Sequence, residues 1–118
     1  QMEKYGRADE ISKQILGINS ALVTNYQQLN QILKDKQIVH VAVQYPMRSI
    51  EPLKEILGEN NAIFVDNETT FKETIKKSSY DDYFVDRFSG DSGHATPKGK
   101  YLLASNIANT IVRKVFRR

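Results

Sequence analysis

The stretch "IVHVAVQYP", residues 38–46, constrains the fold more than any other. It is β-branched or apolar at nearly every position and is closed by Pro46. A strand that faces water on one side alternates apolar and polar residues. This run barely alternates, so it reads as a strand buried on both faces, the signature of a parallel sheet covered by helices. "AIFVD", residues 62–66, reads as a second strand of the same kind. Parallel neighbours need a crossover, and "SIEPLKEILGEN", residues 49–60, supplies one. Ser49 can cap that helix, Pro52 falls in its first turn and Gly58 ends it.

Helical patterns lie on both sides of this pair. Residues 8–34 place Ile11, Ile15, Ile18, Leu22, Tyr26, Leu29 and Leu33 at spacings of three and four. Gly17 and Asn19-Ser20 interrupt the pattern, which predicts a helix over about 21–34 with Ser20 as its N-cap. A helix of about two turns is expected from Glu68 to Lys77. The last helix is capped by Thr96, has Pro97 in its first position and runs to Val115. Leu103, Ile107, Ile111 and Val115 form its apolar face, widened by Ala104, Ala108 and Val112. Residues 78–93 show no sustained period and read as a long ordered loop, pinned to the body by Tyr80, Tyr83, Phe84 and Phe88.

The order helix, strand, helix, strand, helix, loop, helix means α/β with a parallel sheet. Two strands make a poor sheet, because both edges stay open. The 118 residues are therefore expected to be a single domain fragment, the C-terminal part of a larger α/β domain. The chain opens on Gln1 rather than Met, so its true start is expected to lie upstream.

Composition narrows the chemistry. The chain has no Cys, which excludes disulfides, thiolate catalysis and Cys-ligated zinc. Lys and Arg outnumber Asp and Glu by 17 to 14. Much of that excess sits in Arg113, Lys114, Arg117 and Arg118, where it complements a helix C-terminus. Without interleaved aromatics it does not read as a nucleic-acid surface. No apolar run approaches the about 18 residues that span a bilayer. His40 lies inside a strand pattern and reads as a packed strand residue.

Chemistry concentrates in "GDSGHATPKGK", residues 90–100. A carboxylate and an imidazole three residues apart, in a turn leading into a helix, can lie side by side. Asp91 would then accept the Nδ1 proton of His94, fix its tautomer and stabilise the imidazolium, leaving Nε2 to take a proton from a hydroxyl. Ser92 is a poor nucleophile, since a residue between the acid and the base cannot easily swing back onto Nε2. A metal site at Asp91 and His94 lacks further ligands nearby. In the bland alternative, Asp91 and His94 are loop residues making an Asx-turn and a helix-start contact.

From Tyr80 onward, "YDDYFVDRFSGDSGHATPKGKYLLASNIANTI" resembles the C-terminal block of the SGNH/GDSL hydrolases, with Asp91, His94, Thr96, Gly99 and Leu103-Ala104 at the matching places. "VHVAVQYPMRSIEPLKEIL" is similar to the fourth strand and following helix of that fold, and "AIFVDN" to the fifth strand. The resemblance spans roughly residues 21–115. It implies the C-terminal part of a flavodoxin-like three-layer α/β/α sandwich with parallel strands. It also implies a serine esterase using a Ser-His-Asp triad, with His94 as general base and Asp91 as acid. No cofactor or metal is implied. The substrate would be a small carboxylic ester on a carbohydrate or lipid, and the partner would be the missing N-terminal part of the same domain.

The chain departs from that family where the nucleophile should be. The serine block on a first strand and the Gly-bearing oxyanion block are absent, and Gly90-Asp91-Ser92 matches the nucleophile signature by coincidence. Gly17-Ile18-Asn19 is the one match to the third signature, which would make Asn19 an oxyanion donor. The residues before it read as helix rather than strand. One such donor is worth about 3–4 kcal/mol of transition-state stabilisation. This chain alone is accordingly expected to be inactive, and the alternative is a non-catalytic α/β interaction module in which Asp91 and His94 are structural.

Overall fold

The structure is a computed structural model that describes residues 20–88 and 91–117. It is mixed α/β with a two-stranded parallel sheet. Its elements in chain order are α1 (Ser20–Asp35), β1 (Val41–Val43), α2 (Glu51–Leu57), β2 (Ile63–Val65) and α3 (Asn67–Lys76). A 3₁₀ turn (Tyr80–Asp82), β3 (Arg87–Phe88), β4 (Asp91–Ser92) and α4 (Pro97–Ile111) follow, and the chain continues into a π-type turn, Val112–Phe116. The helical pattern before Ser20, including Gly17-Ile18-Asn19, lies outside the described residues.

Internal contacts divide the chain into two units, and the division runs through β1 and β2. The first takes residues up to Ala42 together with Glu51–Ile63. In it α1 packs on α2, with Val23 buried on α1 and Leu53, Ile56 and Leu57 on α2. Gln27 donates from Nε2 to the Ile56 carbonyl at 3.1 Å. Both helix ends are closed by left-handed residues. Gly58, at φ +86°, ends α2 as its sequence predicts. Gln37, at φ +57°, ends α1. Its N–H reaches the Lys34 carbonyl at 3.0 Å and the Ile38 N–H reaches Leu33 at 2.8 Å, the paired bonds of a Schellman motif.

The expected strand at 38–46 is corrected in extent and in burial. Only Val41–Val43 form β1, and among its flanks Ile38 and Val39 are half exposed while Tyr45 is open to solvent. The described sheet gives β1 a single neighbour, β2, so a run apolar enough for two covered faces keeps much of its surface in water. His40 sits just before β1, half-buried, with Nδ1 2.9 Å from Asn30 Oδ1. Desolvation by burial holds its imidazole below its usual pKa.

The second unit holds residues 43–50 and the chain from Phe64 onward. Asp66 caps α3, accepting from the Thr69 N–H at 3.2 Å and the Thr69 hydroxyl at 2.9 Å. The inward face of α3 delivers Phe71, which is fully buried. Phe71 meets Phe84 at 5.6 Å between ring centroids and Tyr83 edge-on at 6.3 Å. Burying a phenylalanine stabilises by about 1.5–3 kcal/mol, and this aromatic cluster anchors the segment before the hairpin. A polar network lies beside it. Asn67, also fully buried, donates to the Gln44 carbonyl at 2.8 Å and accepts from Asn106 Nδ2 at 2.8 Å, which ties α3 to α4 and to the 43–50 segment.

The stretch expected as a long ordered loop carries a 3₁₀ turn and a pair of short antiparallel strands. After the 3₁₀ turn, residues 84–88 run antiparallel to 91–95. Arg87 pairs with Ser92, Phe88 with Asp91, and an isolated bridge joins Phe84 to Ala95. α4 then starts as its sequence predicts. The Thr96 hydroxyl accepts from the Gly99 N–H at 3.1 Å and donates to the Asp82 carbonyl at 2.6 Å. Gly99 is required there, because a Cβ would run into the Tyr83 carbonyl and lie 3.2 Å from Ala95 Cβ. The helix ends at Ile111, short of the expected Val115, and the remainder is π-type.

Candidate functional site

Asp91 and His94 both lie in the hairpin of the second unit, but the structure does not pair them. Nδ1 of His94 is 2.8 Å from Oδ2 of Asp86. Asp91 instead places Oδ2 2.8 Å from Nε of Arg48, and its Oδ1 accepts the Ser92 N–H at 2.8 Å. The expected Asp91–His94 contact is therefore replaced on both sides. The regular strand ends at Ser92, and beyond it the His94 ring lies against Asp86 while the Asp91 carboxylate is held at Arg48.

The hairpin brings Asp86 next to His94, off the regular alternation of strand faces. With Arg87 opposite Ser92, Asp86 falls opposite Gly93 and Val85 opposite His94, and the Val85 N–H donates to the His94 carbonyl at 2.8 Å. Gly93 has no Cβ, so the Asp86 carboxylate can lie across it. A Cβ there would collide with Oδ1 and with the backbone carbonyl of Asp86. Oδ1 accepts the His94 backbone N–H at 2.6 Å while Oδ2 takes the ring. Those two bonds, the ring first, hold the Asp86 carboxyl below the usual carboxylate range.

Tyr80 supports the arrangement from beneath. Its hydroxyl donates to the Asp86 carbonyl at 2.6 Å and accepts the Gly93 N–H at 3.0 Å, bridging the two strands at the level of the pair. Its ring stacks on Phe84 at 4.8 Å and carries the Arg87 guanidinium 3.7 Å from its centroid. Phe88 meets the His94 ring edge-on at 5.4 Å.

The imidazole side chain is 72% exposed and that of Asp86 42%. Among the described residues Nε2 of His94 makes no hydrogen bond, so the ring offers one engaged and one open nitrogen. An imidazole held this way can accept a proton at Nε2 while the carboxylate stabilises the resulting cation. Ser92 lies in β4, across from Arg87. Ser89 and Gly90, and Asn19 as the candidate oxyanion donor, lie outside the described residues. No group of three His, Asp or Glu side chains among the described residues could hold a metal ion. No described helix is long and apolar enough to cross a membrane.

Reading the sequence missed Asp86 and Arg48, and saw Tyr80 only as an aromatic pinning the loop. A signal for Asp86 was present: two residues, Ser89-Gly90, separate "FVDRF" from "DSGHA", the spacing of a two-residue hairpin. Arg48 carried no local signal, being 43 positions from Asp91.

The chain matches no protein-family model, no curated protein and no solved structure.

Proposed function

We propose that this chain is the C-terminal part of a serine acyl hydrolase, with His94 as its general base. The observation that carries the reading is the His94 imidazole itself, hydrogen-bonded through Nδ1 to a carboxylate and open at Nε2. The resemblance of residues 80–111 to the last block of the SGNH/GDSL hydrolases adds to it, as does the capped entry Thr96-Pro97-x-Gly99 into α4. The flavodoxin-like three-layer sandwich belongs to this proposal and is the fold that such an enzyme would complete around the parallel strand pair.

The chemistry follows from the free nitrogen. Nε2 accepts the proton of a serine hydroxyl as that oxygen bonds to the carbonyl carbon of an ester. The imidazolium then returns the proton to the departing alkoxide as the carbon–oxygen bond breaks, and a water molecule repeats the sequence to release the acid. The serine and the oxyanion donors come from outside the described residues, and the ester is an acyl group on a carbohydrate or lipid.

One observation favours a second reading, a non-catalytic module in which the pair is structural. Asp86 clamps the backbone of His94 as well as its ring, and a latch would do the same. Treating the gene product that carries this chain with a fluorophosphonate probe separates the two. The hydrolase reading expects covalent labelling that is lost in His94→Ala. Equal labelling of both proteins, or of neither, removes it and leaves the latch.

A further inference from the structure

We infer that Asp86, eight residues before the histidine, is the positioning residue that orients His94, and that Asp91, bound to Arg48, is not. The inference rests on the acyl-hydrolase reading for its catalytic meaning but on geometry alone for its assignment. An orienting carboxylate must meet Nδ1, fix the ring against rotation and be fixed itself. Asp86 meets all three conditions. Oδ2 lies 2.8 Å from Nδ1, Oδ1 is engaged by the His94 N–H, and the Asp86 backbone is tied to Gly93 through the Tyr80 hydroxyl. Asp91 is fixed too, but elsewhere: one oxygen lies on Arg48 Nε and the other accepts its own neighbour's N–H, so it meets neither of the first two conditions.

The pairing also dictates a tautomer. A carboxylate at Nδ1 has only lone pairs to offer, so the neutral ring must carry its proton on Nδ1 and keep its lone pair at Nε2, the form a general base needs. Asp86→Asn should invert this. Its Oδ1 keeps the bond to the His94 N–H, so its NH₂ faces the ring, and Nδ1 must present a lone pair instead.

The experiment is ¹⁵N NMR of the imidazole nitrogens in alkaline buffer. His94 is distinguished from His40 by a His40→Gln reference. The wild type should show a protonated Nδ1. Asp86→Asn should lose that proton to Nε2, and Asp86→Ala, which removes both bonds, should move the same way. Asp91→Asn and Arg48→Ala should keep the wild-type pattern. A tautomer that follows Asp91 and ignores Asp86, or one that follows neither, overturns the inference. Retained Phe71 and Phe84 ring signals establish that each variant is folded. Fluorophosphonate labelling is a separate arm, expected to slow by up to about 10⁴-fold in Asp86→Asn and to hold in Asp91→Asn. If no labelling occurs in any protein while the tautomer still tracks Asp86, the hydrolase reading fails and the assignment of the carboxylate survives.

Discussion

Gly93→Ala tests how the hairpin creates the Asp86–His94 pair. The added methyl would sit within the contact radius of Asp86 Oδ1, of its carbonyl oxygen and of its carbonyl carbon. The carboxylate could swing aside at small cost, but the backbone could not. To restore ordinary contact the facing strands must part by roughly an ångström or more. The Asp86 Oδ2 to His94 Nδ1 distance is 2.8 Å and the Oδ1 to N–H distance 2.6 Å, so such a shift takes both to or beyond the limit of a hydrogen bond. The Tyr80 bridge, which spans the same strands, opens with them. Forcing a methyl into filled space costs about 1–3 kcal/mol. Urea unfolding followed by circular dichroism should show that loss, and the ¹⁵N signal of Nδ1 should lose its proton. A variant within about 0.5 kcal/mol of wild type that keeps its Nδ1 proton would show that the close approach of Asp86 to Gly93 is not what holds the pair.

Two further predictions are independent of this one. Gln37 closes α1 in a left-handed conformation that costs an L-residue roughly 1–2 kcal/mol and glycine little, so Gln37→Gly should raise the unfolding midpoint in urea; an unchanged or lower midpoint would contradict the Schellman assignment. The Asp86 carboxyl is depressed below its ordinary 3.8, so its contribution is present above that value and lost as pH falls through the lower, folded one. In His94→Ala its ¹³C carboxyl titration should move up. It should remain below the ordinary value, since the bond from the residue-94 N–H survives. No movement would mean that the ring bond contributes nothing.

The helices and strand pair were legible because their signals are local. Thr96-Pro97 and Asp66 announce helix starts, Gly58 announces an end, and two apolar runs announce strands. The site was less so. "FVDRF" lacks clean alternation, because after the buried Phe84 the next four residues, Val85 to Phe88, are all exposed and impose no period. Without the hairpin there is no register, and without register Asp86 is one of several nearby carboxylates. The spacing of Asp91 and His94 then suggested a contact that the structure replaces with Asp86–His94 and Asp91–Arg48. The salt bridge from Arg48 is a tertiary fact that no window of sequence contains.

The exposure of the pair settles which part supports the other. Exposed ion pairs add little to stability, because water screens the charges and the side chains lose freedom on pairing. Asp86 and His94, at 42% and 72% exposure, cannot be what holds β3 against β4. The backbone bonds from 84 to 95, the Tyr80 bridge and the aromatic cluster hold the strands, and they place Asp86 over Gly93 whether or not an imidazole is present. The dependence is therefore one-way. His94→Ala should leave the hairpin's amide protection against hydrogen exchange intact, while Tyr80→Phe, which removes only the bridging hydroxyl, should lower protection at Gly93 and loosen the pair. Such preorganisation is what a general base requires, since its orientation is fixed before any substrate arrives. Loss of protection across the whole hairpin in His94→Ala would reverse the direction of support and make the imidazole a structural latch.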